Sequence, residues 1–294
     1  MRRAAAWPLL AALALGGGPG TTSVHTSAAG ETDIDDADAL ALGLTLMWTT
    51  PILRTQAVDG ASTAGAALLE ELYTTARSEH DAFFARDNSD GAALRRGMSP
   101  NDRFFEAQSD ADERARAGDA SAPFAAFRSG AFARLRASLR SAVDQYVRAA
   151  AGPDAADALG PDTELFMWAA VHSVHDRTGH APHIHEHAAV SGVFYVAAPE
   201  GSGDITFDDP RGLRPPFARN RLSHSPRPGE LLLFPPWVGH AVAPSACTAN
   251  ASAPRVSLPF NVFVGGRGAR HGQAPAGNGR AADWELLADA SITL

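Results

Sequence analysis

From Glu164 onward the chain consists of short apolar segments that prolines and glycines separate. No helical periodicity lies between these segments, and no internal repeat occurs. The segments are L-F-M-W-A-A-V, V-S-G-V-F-Y-V, G-D-I-T-F, E-L-L-L-F, H-A-V-A and R-V-S-L-P-F-N-V-F-V. Many short strands joined by turns, without intervening helices, are typical of a sandwich or barrel. We therefore predict a mainly β fold with flanking helices, in which residues 161–290 form the β core.

Residues 41–160 have a different pattern, which predicts one strand and two helices. The strand is L-T-L-M-W-T-T-P-I-L-R-T-Q-A-V, and Pro51 within it indicates a position near a sheet edge. Apolar residues at helical spacing predict a helix that starts near Ser62 and a second one over Ser129–Ala150. Residues 87–123 are polar and are predicted to be loops. We expect both helices to pack on the sheet, so that this half and the β core form one integrated domain, which a short helix in A-A-D-W-E-L-L-A-D closes at one end.

Residues 1–29 have the pattern of a targeting segment. Two arginines precede a short apolar stretch, and small residues near Ala14–Gly16 or Ser27–Ala29 offer cleavage sites. The apolar stretch is shorter than the ~20 residues that a membrane span needs. We interpret the segment as a signal for the secretory pathway or the extracellular space, with an organelle transit peptide as the alternative.

If this interpretation is correct, the mature chain begins after Ala14 and before Glu31. N-terminal sequencing of the protein from its native source checks the prediction, and finding Met1 retained would contradict the secretory interpretation.

Charge and cysteine content exclude several classes of protein. The formal net charge of −8 argues against a nucleic-acid-binding surface. The single cysteine, Cys247, excludes an internal disulfide framework and a cysteine-rich zinc or iron–sulfur site. Because no apolar run is long enough to span a bilayer, we expect no stable membrane span.

A cluster of histidines lies in the stretch from Gly179 to Val196. His180, His183, His185 and His187 fall within eight residues, immediately before V-S-G-V-F-Y-V. Histidines at positions i, i+2 and i+4 of an extended strand point to the same side. Neutral imidazoles that converge from one face can bind a transition metal. Two pairs have the same spacing, 183/185 and 185/187, so His185 belongs to both; the alternative to a metal site is a surface cluster.

A second stretch supplies further polar side chains to the same predicted barrel. P-R-P-G-E-L-L-L-F-P-P-W-V-G-H places His240 after a bend, where its side chain can face the barrel mouth. Fifteen residues later, Arg255 and Ser257 lie on the same side of a strand. An arginine that faces an apolar barrel needs an anionic partner, because burying it unpaired is costly. That partner is either the carboxylate of a ligand or a local acidic residue.

The order of these motifs resembles that of a family of 2-oxoglutarate/Fe(II)-dependent oxygenases. The motifs are H-x-H, S-G-V-F-Y-V, G-D-I-T-F-D-D-P-R, P-G-E-L-L-L-F-P-P-W-V-G-H and R-V-S-L-P-F-N, and the likeness covers most of residues 168–264. The resemblance implies a double-stranded β-helix, or jelly-roll, core. It also implies that the first histidine pair and His240 bind Fe(II), and that Arg255 and Ser257 receive the carboxylate of 2-oxoglutarate. In the implied reaction, one oxygen atom of O2 enters succinate as 2-oxoglutarate is oxidatively decarboxylated with loss of CO2, and the other hydroxylates a C–H bond of a substrate.

The metal ligands differ from the usual pattern of such enzymes, which is two histidines and one carboxylate. His183-x-His185 stands where the family has His-x-Asp or His-x-Glu. Glu186 is one residue out of phase on a strand and should face away. Asp208 or Asp209, on the next strand, is the alternative source of a carboxylate; otherwise the site contains histidines alone.

Other polar residues have weaker roles in this interpretation. His187 is an alternate metal ligand, and Arg211 is either a turn salt bridge or a second contact for the anion. We predict His172 and His175 to be surface residues, and we assign no partner to His224.

Two further functions remain compatible with the sequence. One is a cupin-like metalloprotein that does not use 2-oxoglutarate, and the other is a non-catalytic jelly-roll binding module. Arg255 favours the oxygenase over the cupin-like protein, whereas the missing carboxylate favours the other two.

Overall fold

The computed structural model describes residues 50–86, 99–160, 162–172, 179–212, 220–245 and 253–265. The helices in this part of the chain are α1 (Thr63–Arg86), α2 (Pro100–Arg116), α3 (Gly130–Ala151) and α4 (Pro153–Asp157), with a 3₁₀ turn at Ala125–Arg128. The strands are β1 (Leu53–Gln56), β2 (Glu164–Met167), β3 (Ala170–His172), β4 (His180–His183), β5 (Val190–Ala197), β6 (Ile205–Asp208), β7 (Arg221–His224), β8 (Glu230–Phe234), β9 (His240–Val242) and β10 (Arg255–Phe263).

The strands form two antiparallel sheets that face each other. The six-stranded sheet has the order β1-β8-β5-β10-β2, with β3 also paired to β10, and the four-stranded sheet has the order β4-β9-β6-β7. From β4 to β10 the chain passes repeatedly from one sheet to the other, which is the strand arrangement of a jelly-roll. The predicted fold class, a double-stranded β-helix with flanking helices, is therefore confirmed.

The six-stranded sheet is buried on both faces. Phe194, Leu233 and Leu258 lie on the face that packs against the helices. The alternate residues Tyr195 and Leu232 lie on the other face and pack against the four-stranded sheet. A strand that is buried on both faces needs apolar residues at successive positions, which explains the unbroken apolar run of V-S-G-V-F-Y-V.

Three of the predicted N-terminal elements are present. β1 pairs only with β8 at the end of its sheet, as the nearby proline indicated. In α1 the buried face includes Leu68, Leu72 and Ala76. In α3 it includes Phe132, Leu135, Leu139, Val143 and Tyr146.

The prediction of loops throughout residues 87–123 was wrong, because α2 lies within that range. Ser99 caps this helix: its hydroxyl accepts a hydrogen bond from the Asp102 backbone amide, and the Asp102 carboxylate accepts one from the Ser99 amide. Two of its four buried residues are the amides Asn101 and Gln108. Polar residues on a buried face hide the apolar periodicity from which helices are predicted.

The side chains of these two residues form hydrogen bonds with the backbone at the end of β2 and the start of β3. The Gln108 side chain donates to the Ala169 carbonyl (3.0 Å) and accepts from the Ala169 amide (2.8 Å). The Asn101 side-chain oxygen accepts a hydrogen bond from the Val171 backbone amide at 2.9 Å. The helix thus supplies partners to backbone groups at the interruption between β2 and β3.

Several predicted features lie outside the described residues. They are the targeting segment at residues 1–29, the C-terminal helix, His175 and Cys247. Among the helices that the structure describes, none is long and apolar enough to cross a membrane.

Candidate metal centre

Three imidazoles meet at one end of the barrel. His183, His185 and His240 each offer one nitrogen, and these nitrogens all lie within 4.8 Å of one another. His183 ends β4 and is paired across the sheet with His240, the first residue of β9. The chain then leaves the strand, and the His185 amide donates to the Pro236 carbonyl at 2.9 Å. The Pro-Pro-Trp bend that precedes β9 therefore helps to position His185 as well as His240.

Hydrogen bonds fix two of the three imidazole orientations. Nδ1 of His183 lies 2.8 Å from the Ala181 carbonyl oxygen, and Nδ1 of His240 lies 3.0 Å from that of Val238. A carbonyl oxygen only accepts, so each Nδ1 must carry the proton and donate it. The Nε2 lone pair of both rings is then available to a metal.

The environment keeps the imidazoles of His185 and His240 uncharged. Burial lowers the pKa of His185 to about 3, and the charges of His240, His183 and His180 act in the same direction. Burial also lowers the pKa of His240 to about 4, with a further contribution from His183. Because only the neutral imidazole binds a metal, these ligands need not lose protons first at neutral pH.

These pKa shifts predict that the metal-free protein loses stability in mild acid. An unfolded histidine has a pKa of about 6.5. Below that pH the unfolded chain therefore binds protons at positions 185 and 240, whereas these two histidines stay unprotonated in the folded protein. The contribution of these two histidines to the free energy of unfolding should therefore be complete above about pH 7. It should decrease as the pH drops from 6.5 toward 4. The expected loss between about pH 7 and 5 is roughly 2 kcal/mol for each imidazole.

Urea unfolding of metal-free protein at a series of pH values checks this prediction. His185→Gln should make the pH dependence of the free energy of unfolding shallower, because one of the two imidazoles with a lowered pKa has been removed. An identical pH dependence in the variant and the wild type would contradict the assignment of the shift to His185.

The structure distinguishes between the two histidine pairs. His187 is exposed and has a φ of 65°, so the chain turns there and this residue is not part of the cluster. Glu186 is also exposed. His180 has its ring centroid 4.3 Å from that of His183, but it is not among the three residues whose nitrogens converge.

Neither aspartate of the next strand reaches the three imidazoles. Phe207 lies in the barrel interior, so the neighbouring Asp208 points to the opposite side of β6, where its carboxylate accepts from Arg221 at 2.7 Å. Asp209 accepts from Arg211 at 2.8 and 3.0 Å in the turn that follows. Among the residues that the structure describes, the cluster therefore contains histidines alone.

Arg255 is buried inside the barrel, and no acidic residue of the described part of the chain pairs with it. The residue is only 3% exposed. One guanidinium nitrogen donates to the Ser202 and Gly203 carbonyls, both at 3.1 Å, whereas its buried Nε has no hydrogen-bond partner among the described residues. Burial lowers the pKa of the guanidinium from its ordinary value, which is so high that the group stays charged. Within the described part of the chain, no salt bridge to a local acid accounts for this buried charge.

Two side chains accompany Arg255 in the barrel. Ser257 is buried and lies on the same side of β10. Tyr195 is paired with Ser257 across the sheet and is equally buried. Burial raises the pKa of the Tyr195 hydroxyl, and the positive charge of Arg255 opposes that shift. Sequence reasoning missed Tyr195, although the alternation of S-G-V-F-Y-V places it on the interior face with Ser191.

Other polar residues are placed as follows. Arg211 forms the turn salt bridge with Asp209, and its guanidinium is about half exposed. His224 has Nε2 2.8 Å from a carboxylate oxygen of Glu230. The prediction that His172 lies on the surface was wrong: the residue is buried, with Nδ1 3.2 Å from the Asn101 amide nitrogen. A helix that sequence reasoning did not predict covers it.

A cleft of about 330 Å³ opens beside His185. Its apolar lining consists of Phe105, Phe166, Ile184 and Phe263, and its polar lining consists of Ser109, His185, Glu186 and Asn261. Phe105 and Ile184 are 36% and 49% exposed, which is unusual for large apolar residues in this structure. The ring of Trp168 contacts Phe105 at 4.9 Å between centroids and lies 6.5 Å from His185.

The sequence of the barrel matches a known family. Residues 166–261 match the model of the family described as putative 2OG-Fe(II) oxygenase. The matched segment runs from β2 into β10 and includes the three clustered histidines, Tyr195 and Arg255. The resemblance that the motifs indicated is therefore confirmed, and this family consists of enzymes that use Fe(II) and 2-oxoglutarate.

The chain is also similar to several solved structures at low sequence identity. No curated protein sequence matches the chain significantly. A prolyl-4-hydroxylase from Pseudomonas putida is 19% identical, with 55% of this chain and 80% of that chain covered and a TM-score of 0.33. The α-ketoglutarate-dependent epimerase SnoN of nogalamycin biosynthesis is 18% identical, with coverages of 45% and 58% and a TM-score of 0.29. The nickel complex of the non-haem monooxygenase ThoJ is 10% identical, with coverages of 63% and 84% and a TM-score of 0.35. Matches at these scores carry no argument about substrate or reaction.

Proposed function

We propose that the protein is a non-haem Fe(II), 2-oxoglutarate-dependent oxygenase that hydroxylates a substrate at a C–H bond. In this proposal His183, His185 and His240 bind the metal, and Arg255 and Ser257 bind the cosubstrate. The observation that carries it is the coexistence, in one barrel, of three converging imidazoles and a buried arginine that pairs with no acidic residue of the described part of the chain.

The donor set fits a first-row divalent metal. Imidazole nitrogen suits iron as well as zinc, copper and nickel. Three protein ligands leave positions for a chelating cosubstrate and for O2, as an oxygenase requires. Three neutral ligands leave the full positive charge on the metal, whereas a carboxylate would cancel part of it. When bound, Fe(II) and 2-oxoglutarate supply the oxidising chemistry, and the protein contributes binding, orientation and shielding from water.

The buried arginine fits the carboxylate of 2-oxoglutarate. The unpartnered Nε of Arg255 can donate to a carboxylate without any change in the two carbonyl contacts that hold the guanidinium. Ser257 and Tyr195 can add hydroxyl donors from adjacent strands. Charge-assisted hydrogen bonds in a site with little water are strong, so one such group can anchor the distal end of the cosubstrate.

We place the substrate in the cleft beside His185. Its exposed apolar rings would lose contact with water when an apolar group binds, which favours association. Clefts of this size suit a small molecule or one side chain of a larger partner.

A second candidate is a cupin-like metalloprotein that does not use 2-oxoglutarate. The absence of a carboxylate from the histidine cluster, within the described residues, favours it. A non-catalytic jelly-roll module is the third candidate, and it predicts neither metal nor cosubstrate binding.

One experiment separates the three candidates. Protein purified without oxygen is analysed for metal and then titrated with 2-oxoglutarate in the presence of Fe(II), while the metal-to-ligand charge-transfer absorption is recorded. One equivalent of iron and a saturable absorption band are expected for the oxygenase. Iron without the band supports the cupin-like protein, and absence of both supports the binding module.

A further inference from the structure

A buried polar pair on two adjacent strands lies next to the metal cluster. Ser191 on β5 and Asn261 on β10 are direct partners across the sheet, and they are 0% and 9% exposed. The Ser191 hydroxyl is 2.8 Å from the Asn261 side-chain oxygen. Both residues belong to motifs that the oxygenase resemblance includes, yet neither has a role in the proposed binding of metal or cosubstrate.

The other end of the Asn261 amide faces a proposed metal ligand. Its nitrogen lies 3.2 Å from Nδ1 of His185. The two ends of an amide are assigned from the hydrogen bonds that they make, so the reversed orientation occupies the same space. In the orientation as placed, the amide donates to Nδ1, and the proton of the neutral ring is then on Nε2, which could not bind a metal. In the reversed orientation Nδ1–H donates to the amide oxygen, and Nε2 is free.

His185 differs in this respect from the other two histidines. The Nδ1 atoms of His183 and His240 lie against backbone carbonyls, which no substitution removes. The partner of His185 is a side chain, which can be changed without touching the imidazole. The orientation of the His185 imidazole therefore depends on the Asn261 side chain, which can be substituted.

We infer that Asn261, held by Ser191, is a positioning residue whose side-chain oxygen accepts a hydrogen bond from Nδ1–H of His185 and thereby directs Nε2 to the metal. The Asn261 amide nitrogen then donates to the Ser191 hydroxyl oxygen, so the buried amide has a partner at both ends. This inference rests on the proposed function only in that His185 must bind a metal. Such partners of a metal-bound imidazole fix its tautomer and orientation, and their loss typically weakens metal binding ~10–100-fold.

Two substitutions at this position test the inference through metal affinity. Asn261→Leu keeps the volume and removes the acceptor, and Asn261→Asp keeps an acceptor and makes it a stronger one. With Co(II) as the probe, followed by its visible absorption and by competition with a chelator, Asn261→Leu should bind ~10–100-fold more weakly than the wild type. Asn261→Asp should bind at least as tightly as the wild type. An unchanged affinity in Asn261→Leu, or an equal loss in both variants, would overturn the inference.

Further variants separate positioning from folding. Gln108→Leu removes a buried amide that bonds the backbone of Ala169 rather than an imidazole of the cluster, so it should lower thermal stability without changing Co(II) affinity. If Asn261→Leu does not fold, Ser191→Ala tests the same hydrogen-bonded series. This variant should bind Co(II) several-fold more weakly, with a lower melting temperature because the buried Asn261 amide loses a partner. Unchanged Co(II) affinity in this variant would overturn the inference. Failure of the wild type to bind Co(II) would overturn the proposed metal site itself, and this inference with it.

Discussion

His185→Ala and His240→Ala are each expected to abolish stoichiometric Fe(II) binding while leaving the jelly-roll folded. The site has only three converging ligand nitrogens among the described residues, so one substitution removes a third of the protein's contribution to coordination. Open catalytic sites have few protein ligands, and the loss of one is therefore severe. Anaerobic reconstitution followed by iron analysis measures the stoichiometry, and far-ultraviolet circular dichroism reports the fold.

The chain offers a matched control in His187. It lies two residues after His185, is exposed, and does not join the cluster, so His187→Ala should bind iron like the wild type. Unchanged iron content in either the His185 or the His240 variant would refute the metal site. Loss of iron in the His187 variant would show that the pair 185/187, rather than 183/185, binds the metal.

Arg255→Gln is expected to weaken 2-oxoglutarate binding at least about thirtyfold without changing iron content. Glutamine is shorter; it keeps a polar side chain but loses the charge and the paired donors of the guanidinium. A charge-assisted pair in a site shielded from water is worth roughly 2–5 kcal/mol when one partner is removed, which corresponds to that loss of affinity. Each iron-loaded protein is titrated with 2-oxoglutarate while the charge-transfer absorption is recorded, which gives the 2-oxoglutarate affinity of the wild type and of the variant.

Arg211→Gln serves as the control for this substitution. Its guanidinium is exposed and already paired with Asp209 in a turn, so its loss should leave 2-oxoglutarate affinity unchanged. If the Arg255 variant binds as tightly as the wild type, the cosubstrate is anchored elsewhere. If the Arg211 variant is the weaker of the two, the exposed arginine is the anchor.

Sequence reasoning identified the parts of the protein that depend on apolar patterning. The strand series after Glu164 predicted the β core, and helical spacing predicted α1 and α3. The three residues that meet at the candidate metal centre were also named from the sequence. The bend before His240 indicated that residue, whereas spacing left the pairs 183/185 and 185/187 open, and the family resemblance implied the first pair.

The parts that sequence reasoning missed depend on polar side chains in buried positions. The helix α2 presents Asn101 and Gln108 to the sheet, so its buried face does not look apolar. The extended strand expected through the histidines ends at His183, and a change in register within β4 alters which side each residue faces. The amino-acid composition of the strand does not indicate such a bulge. It also does not indicate that Asn261 lies beside His185.

The amides of α2 also determine what the protein can associate with. A strand with unpaired backbone groups is a template for another chain, and repeated pairing of this kind builds fibrils. By occupying backbone groups of Ala169 and Val171, α2 removes hydrogen bonds that an incoming strand would need. The helix α2 thus covers this edge of the six-stranded sheet, so the backbone groups that it binds are not available for pairing with a strand of another chain.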